Sequence, residues 1–404
     1  MIITMAWRNI WRNKMRSFII MLSLSLGLFA GIAVMALYKG MMTSRVRTVI
    51  DAETGHLQLH DSSFKKEYDP RFIISQGDNL LKSIRSIPGI KLAVPRSITN
   101  GMLATTTGTA GVQVNGVIPA LEYEASLLQK KIIEGSVFDT VRRYGIMIGK
   151  KLATKMKLKP KSKLVLTFTD TSGSIVSAAF RVAAVYQSDN TPLDERNVYI
   201  RLNDMNELLG IGNSFHEIGI LLNQDGELEN IQDQLRQRFP RLQTESWKEI
   251  SPETNLMVNT VDIYSYIIMV IIMLALAFGI INTMLMAILE RTREIGMMVA
   301  LGTNKRKIFL LVLVETVFLT LAGTPVGMGI GWIATLYFNK HGINLSGTQQ
   351  ELMSSFGFGS TIYPEFPAGK LTGILLIVAG TAFVACLFPA AKALRLRPVE
   401  ALKR

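Results

Sequence analysis

The 404-residue sequence predicts a membrane protein with four transmembrane α-helices and a large α+β extracytoplasmic domain inserted between helices 1 and 2. Three observations carry this reading. Four charge-poor apolar runs reach the ~20 residues that a helix needs to cross a hydrocarbon core of ~30 Å. The basic residues cluster in the short segments flanking those runs. The long segment between the first two runs is of ordinary soluble composition, with 28 basic and 25 acidic residues.

The elements follow in order. Residues 1–17 form an amphipathic helix on the cytoplasmic side. Trp7, Ile10 and Trp11 fall at i, i+3 and i+4, while Arg8, Arg12 and Arg16 repeat every four residues, the pattern of a helix lying among headgroups. The first span, 18–38, holds no charge before Lys39. It is longer than the ~7–15-residue core of a cleaved signal and lacks a small-x-small site, so it reads as a signal anchor. The extracytoplasmic region, 39–262, mixes alternating strand patterns at 55–59, 163–168 and 180–186 with helical spacing at 79–87 and 227–239, the latter with Leu228, Ile231 and Leu235 on one face. Two subdomains are expected in it. Its flanks, 39–50 and 251–262, lack turn signals and are expected to extend the first two spans outward as a stalk.

The second span, 263–289, is uncharged, and a cytoplasmic loop, 290–307, separates it from the third, 308–338, which holds one charge, Glu315. A short outer loop, 339–370, leads to the fourth span, 371–388, and a cytoplasmic tail, 389–404. The three segments 1–17, 290–307 and 389–404 carry 14 basic residues against three acids, which places both termini in the cytoplasm. Tyr38, Tyr264, Tyr266, Trp332 and Tyr337 mark the outer interface.

The net charge of +13 is therefore topology rather than a nucleic-acid footprint, and no nucleic-acid partner is expected. One cysteine, Cys386, excludes a disulfide framework within the chain. No G-x-x-x-x-G-K-[ST], H-E-x-x-H or G-x-S-x-G occurs, so no ATP, metal or acyl-transfer site is expected here. His56 and His60 read as exposed strand residues, and Asp194-Glu195 as solvated surface. Ser23, Gly27 and Gly31, and likewise Gly323, Gly327 and Gly331, repeat every four residues, a spacing that lets helices approach closely; Pro325 predicts a kink.

The loop at 290–307 carries the main functional signal. Ile295, Met298 and Val299 stand at i, i+3 and i+4, with Leu301 beyond, Gly302 as a stop, and Arg293 and Glu294 before them. A connector needs no apolar strip, so this helix is expected to dock into a groove on a soluble partner through Arg293, Glu294, Ile295, Met298, Val299 and Leu301.

Glu290-Arg-Thr-Arg-Glu-Ile-Gly-Met-Met-Val-Ala-Leu-Gly, with the basic segment after it, resembles the signature of the MacB/LolC-LolE/FtsX family of ABC permeases. Ala6-Trp-Arg-Asn-Ile-Trp-Arg-Asn-Lys-Met-Arg-Ser resembles that family's opening helix, and Pro389-Ala-Ala-Lys-Ala-Leu-Arg-Leu-Arg-Pro-Val-Glu-Ala-Leu its ending. Glu134-Gly-Ser, Gly149-Lys-Lys-Leu-Ala and Val182-Ala-Ala-Val-Tyr are similar to landmarks of its periplasmic core domain; Pro160-Lys-Ser departs from a turn that often holds Gly, so a changed turn is expected there.

The resemblance implies a non-catalytic permease of the inner membrane working by mechanotransmission. No cofactor is expected on this chain; Mg-ATP would bind two copies of a partner ATPase, beside a second permease, identical or paralogous. Glu315 is expected to pair with Arg291 or Lys307. The favoured expectation is release of lipoproteins, as in LolC/LolE, to a periplasmic carrier, with lipid chains lined by Phe29, Met35, Met41, Ile267 and Ile268 between the first two spans. The alternatives are MacB-like efflux of a peptide, siderophore or antibiotic, and FtsX-like activation of a cell-wall hydrolase.

Overall fold

The computed structural model describes residues 2–12, 14–75, 77–126, 128–136 and 144–394. The tail basics Arg395, Arg397, Lys403 and Arg404 and the end of the C-terminal motif lie outside the described residues. Helix α1 (Ile2–Arg12) leads to α2 (Lys14–Thr48), which ends in a π-helical turn at Val49–Thr54. Strand β1 (Leu57–His60), α3 (Phe64–Glu67), α4 (Gly77–Arg85) and the hairpin β2 (Ile90–Thr105) and β3 (Gly108–Val117) follow. Then come α5 (Pro119–Ser126), β4 (Ile132–Gly135), β5 (Gly145–Gly149), α6 (Lys150–Lys155), β6 (Lys163–Thr169), β7 (Ile175–Tyr186), α7 (Thr191–Arg196), β8 (Asn197–Arg201) and α8 (Leu202–Leu209). The inserted region closes with β9 (Glu217–Leu222), α9 (Leu228–Arg238), β10 (Gln243–Ser246) and α10 (Trp247–Ile250). The rest is mainly helical: α11 (Pro252–Glu290), α12 (Thr292–Ala300), α13 (Lys305–His341), α14 (Thr348–Ser355) and α15 (Leu371–Leu394), with the short strands β11 (Ile343–Asn344) and β12 (Thr361–Ile362) paired on either side of α14.

The chain divides into two compact units. In the helical unit, four helices among the described residues are long and apolar enough to cross a membrane, at 17–54, 252–290, 306–341 and 368–392. Four is the number the sequence predicts, and α2 and α11 run beyond their apolar stretches. The two small-residue rows serve different neighbours. A Cβ on Gly323, Gly327 or Gly331 of α13 would meet Met21, Ser25 or Ile32 of α2 at 3.0–3.1 Å or less. A Cβ on Gly27 or Gly31 of α2 would meet Leu276 or Met269 of α11. At Gly323 and Gly327 the α13 backbone therefore comes close to that of α2, and the Ser25 hydroxyl lies 2.9 Å from the Gly323 carbonyl across this contact; over Gly27 and Gly31 the space is taken by the Leu276 and Met269 side chains. Helix α13 continues through Pro325 to His341.

In the other unit, ten strands form one sheet, in the order β10-β1-β9-β2-β3-β8-β5-β7-β4, with β6 pairing both β2 and β7. The pairings β2–β3–β8–β5–β7–β6–β2 close a circuit around a core that includes Leu103, Val114, Ile146, Leu166, Phe180 and Ile200. The 16-residue β2 belongs both to this circuit and to the β9–β1–β10 extension. That sharing makes the inserted region one compact unit where two subdomains were expected.

Helices α4 and α9 sit where helical spacing predicted them, and Leu228, Ile231 and Leu235 are all buried. At the departure from the family turn, Lys161 occupies the left-handed region (φ 75°) and donates its N–H to the Val182 carbonyl at 2.7 Å, so the turn is made without glycine.

Two expectations need correction. His56 and His60 are buried, because β1 lies between β9 and β10. His60 Nε2 stands 3.0 Å from Glu245, and His56 Nε2 2.9 Å from Asp225. Asp194 is also buried, accepting bonds from the backbone N–H and hydroxyl of Ser188; burial pushes its pKa up to about 6. Its neighbour Glu195 stays partly exposed and pairs with Lys155 at 2.6 Å.

Candidate functional site

The loop between the second and third spans folds into α12, and its stop is local chemistry. Gly302 takes φ 84°, its N–H donates to the Val299 carbonyl, and the Thr303 N–H reaches back to Met298, a Schellman arrangement. Asn304 then caps α13, accepting the Arg306 N–H at 3.0 Å.

The faces of α12 differ from the expected ones. Ile295 is buried, packed with Ile10, Met284, Ile288, Ile308 and Val312, and Met298 and Val299 are half-buried against the same cluster. These three residues hold the helix to its own bundle. The outward face carries Arg293, Met297, Ala300 and Leu301, of which Leu301 is 86% exposed and Met297 45%. Of the six expected docking residues, only Arg293 and Leu301 stand fully outward. Met297 joins them from outside the expected set, its spacing of four from both Arg293 and Leu301 being the signal that marks it.

Beneath this face runs a chain of ion pairs. Both oxygens of Glu294 accept from Arg12 Nη2 at 2.8 Å, Arg291 Nε donates to Glu294 at 3.1 Å, and Arg291 Nη1 donates to Glu315 at 3.3 Å. It links α1, α12, the residue after α11, and α13. Arg12 foremost, with Arg291 behind it, holds the Glu294 carboxyl below its ordinary pKa. Glu315 is buried and the Arg291 side chain only 12% exposed, which satisfies the expected pairing of the one acid in the third span. In α1, Ala6 and Ile10 face inward while Trp7 and Trp11 stay more than half exposed, Trp7 meeting Phe318 edge-on at 5.8 Å.

The five expected lining residues differ in burial. Met35 is core, packed among Leu28, Ile32, Met269, Met273 and Ile374. Phe29, Met41 and Ile268 are half-buried, and Ile267 is exposed. Within one chain the space between α2 and α11 is filled, as Gly27 and Gly31 show. Among the described residues no group of three or more His, Cys, Asp or Glu is placed to hold a metal.

The chain matches two family descriptions, "MacB-like periplasmic core domain" over residues 17–238 and "FtsX-like permease C-terminal" over 266–398. It is 22% identical to the lipoprotein-releasing system transmembrane protein LolC of Neisseria meningitidis, over 97% of this chain and 95% of that one. It is 26% identical to the macrolide export ATP-binding/permease protein MacB of Bdellovibrio bacteriovorus, over 97% of this chain and 60% of that protein. The permease YknZ of Bacillus subtilis is 24% identical, over 99% and 98% of the two chains. Among solved structures, the periplasmic region of MacB from Actinobacillus actinomycetemcomitans aligns with 53% of this chain and 97% of its own length, at 11% identity and a TM-score of 0.37. With the inserted domain and the last three spans both matched, the chain belongs to the ABC transporter permeases of the MacB/LolC/FtsX type.

Proposed function

We propose that this permease works by mechanotransmission: an ATPase on a separate chain binds Mg-ATP, docks on the outward face of α12 and moves the helices that carry the inserted domain. The observation that carries this reading is that face, in which Met297 and Leu301 stand exposed beside Arg293 on a helix whose opposite side is fixed to the bundle. Exposed apolar side chains on a helix are the usual anchors for a groove in a partner. These 404 residues contain no phosphate-binding loop, which supports placing the nucleotide on a partner. The basic bias of the termini and the 290–307 loop supports a cytoplasmic position for α12 and a periplasmic one for the inserted domain, in an inner membrane. Two permeases, identical or paralogous, would stand beside two ATPases.

For substrate, we favour release of lipoproteins from the membrane to a periplasmic carrier, supported by the match to LolC along nearly all of both chains. A second reading, efflux of the MacB kind, is supported by the higher identity to MacB. Depletion of the protein followed by membrane fractionation separates them: lipoproteins accumulate in the inner membrane under the first reading, and their unchanged arrival in the outer membrane refutes it. Purification in mild detergent tests the docking claim through the ATPase that accompanies the chain.

A further inference from the structure

The inserted domain carries a partly open cavity of about 220 Å³, room for several waters. Its wall combines the π-helical turn that ends α2 with residues of β1, β2, β3, β8 and β9, and Ile250, two residues before α11 begins. Single π-turns mark functional sites more often than chance. The lining is polar and includes Glu53, Tyr68, Arg96, Gln113, Tyr199 and Glu217.

The cations here are already engaged. Arg96 donates to Glu122 through Nε at 3.0 Å and Nη2 at 2.9 Å, and to Glu217 through Nη1 at 3.5 Å. Lys65 donates to Gln58 at 2.6 Å and Glu245 at 3.0 Å. The spare capacity lies with acceptors. Glu217 is 3% exposed, and among the described residues its carboxylate is reached only by that one long Arg96 contact. Charge-assisted bonds normally close to ~2.7–2.9 Å. Glu53 accepts Arg45 and Asn190 on one oxygen, at 2.7 and 2.6 Å, and its second oxygen meets no described partner. Tyr199 is 7% exposed, and its hydroxyl has no hydrogen-bond partner among the described residues; nor has that of Tyr68.

A buried carboxylate with one long partner is costly, and a group that brings several N–H donors and a positive charge relieves it. An ammonium brings three donors, and the two phenol rings in the wall suit a cation further. An anion would face Glu53 and Glu217 together. Tyr68 reaches this wall as the left-handed C-cap of α3 (φ 52°), its N–H held by the Phe64 carbonyl.

We propose that this cavity is a binding site for a primary ammonium group of a small molecule, held by Glu217, Glu53 and the hydroxyls of Tyr199 and Tyr68. The site is independent of the substrate reading above and of any ATPase. The ammonium can come from a free amine or from the amino terminus of a short peptide, and the test separates the two.

The full-length protein in mild detergent is titrated by calorimetry with putrescine, diacetylputrescine, glycylglycine and N-acetylglycylglycine. Putrescine or glycylglycine should bind, their acetylated forms should not, and the tighter of the two identifies the source of the ammonium. Glu217→Gln should weaken binding by about 10- to 150-fold, the range for a hydrogen bond to a charged group. Tyr199→Phe keeps the ring and the fold and should weaken it by about 3- to 10-fold. Acetylated and free forms binding equally would overturn the proposal, as would wild-type affinity in Glu217→Gln. So would the absence of binding by either free amine up to about 1 mM, the weak end of specific recognition.

Discussion

Adding one methyl group to α13 should report directly on how closely two spans touch. A Cβ on Gly327 would lie 2.7 Å from the Ser25 carbonyl oxygen, 2.9 Å from Ser25 Cα and 3.1 Å from Leu28 Cβ. Non-bonded contact begins near ~3.5 Å, so the methyl is roughly 0.5–1 Å too close, and two of the three obstacles are backbone atoms that no rotamer change removes. Two residues along, a Cβ on Gly329 meets nothing within 4 Å. Both Gly→Ala changes gain the same helix preference of about 0.5–1 kcal/mol. Their difference therefore isolates the contact, and overpacking of this kind costs about 1–3 kcal/mol. Reversible unfolding in mixed micelles should show Gly327→Ala less stable than Gly329→Ala by that amount, a factor of about 5 to 150 in the unfolding equilibrium. Equal stability of the two variants would refute the assignment of this row to the α2 contact.

Other outcomes follow from the same contacts. Met297→Asp with Leu301→Asp should reduce copurified ATPase at least about 30-fold, at ~2 kcal/mol per interface anchor, while thermal unfolding stays near wild type. Arg291→Gln should destabilise by up to about 3–5 kcal/mol by removing one partner of a buried pair, and Glu315→Gln added to it should restore part of the loss in the same unfolding assay. Burial holds His216 neutral, its pKa lowered to about 4 from the ordinary 6.5; Nδ1 accepts the Ile98 N–H, which leaves Nε2 to donate to the Pro70 carbonyl. The unfolded chain thus binds the extra proton first, and thermal stability should fall as pH drops from about 6.5 towards 4, a dependence that His216→Asn should flatten.

What the sequence makes legible follows from how local each signal is. A span announces itself because twenty uncharged residues in a row have no other physical use, and the Glu315–Arg291 pair followed from the cost of a lone acid in lipid. The spacing of Ile295, Met298 and Val299 is equally visible, but periodicity says only that a face is apolar. Whether that face meets the chain's own helices or a partner depends on the tertiary fold, and here it meets Ile308 and Met284. The burial of His56 and His60 depends on β1 pairing with strands more than 150 residues away in the chain. The cavity behind Glu217 was invisible for the same reason, since the π-turn, β2 and β8 come together only in the sheet.

Helix α11 runs 39 residues without an interior proline, roughly 58 Å at ~1.5 Å per residue. Hydrocarbon accounts for about 30 Å of that length. A rod of this kind is a lever: turning it by ~5° about one end carries the other roughly 5 Å sideways, with no hydrogen bond broken along its axis.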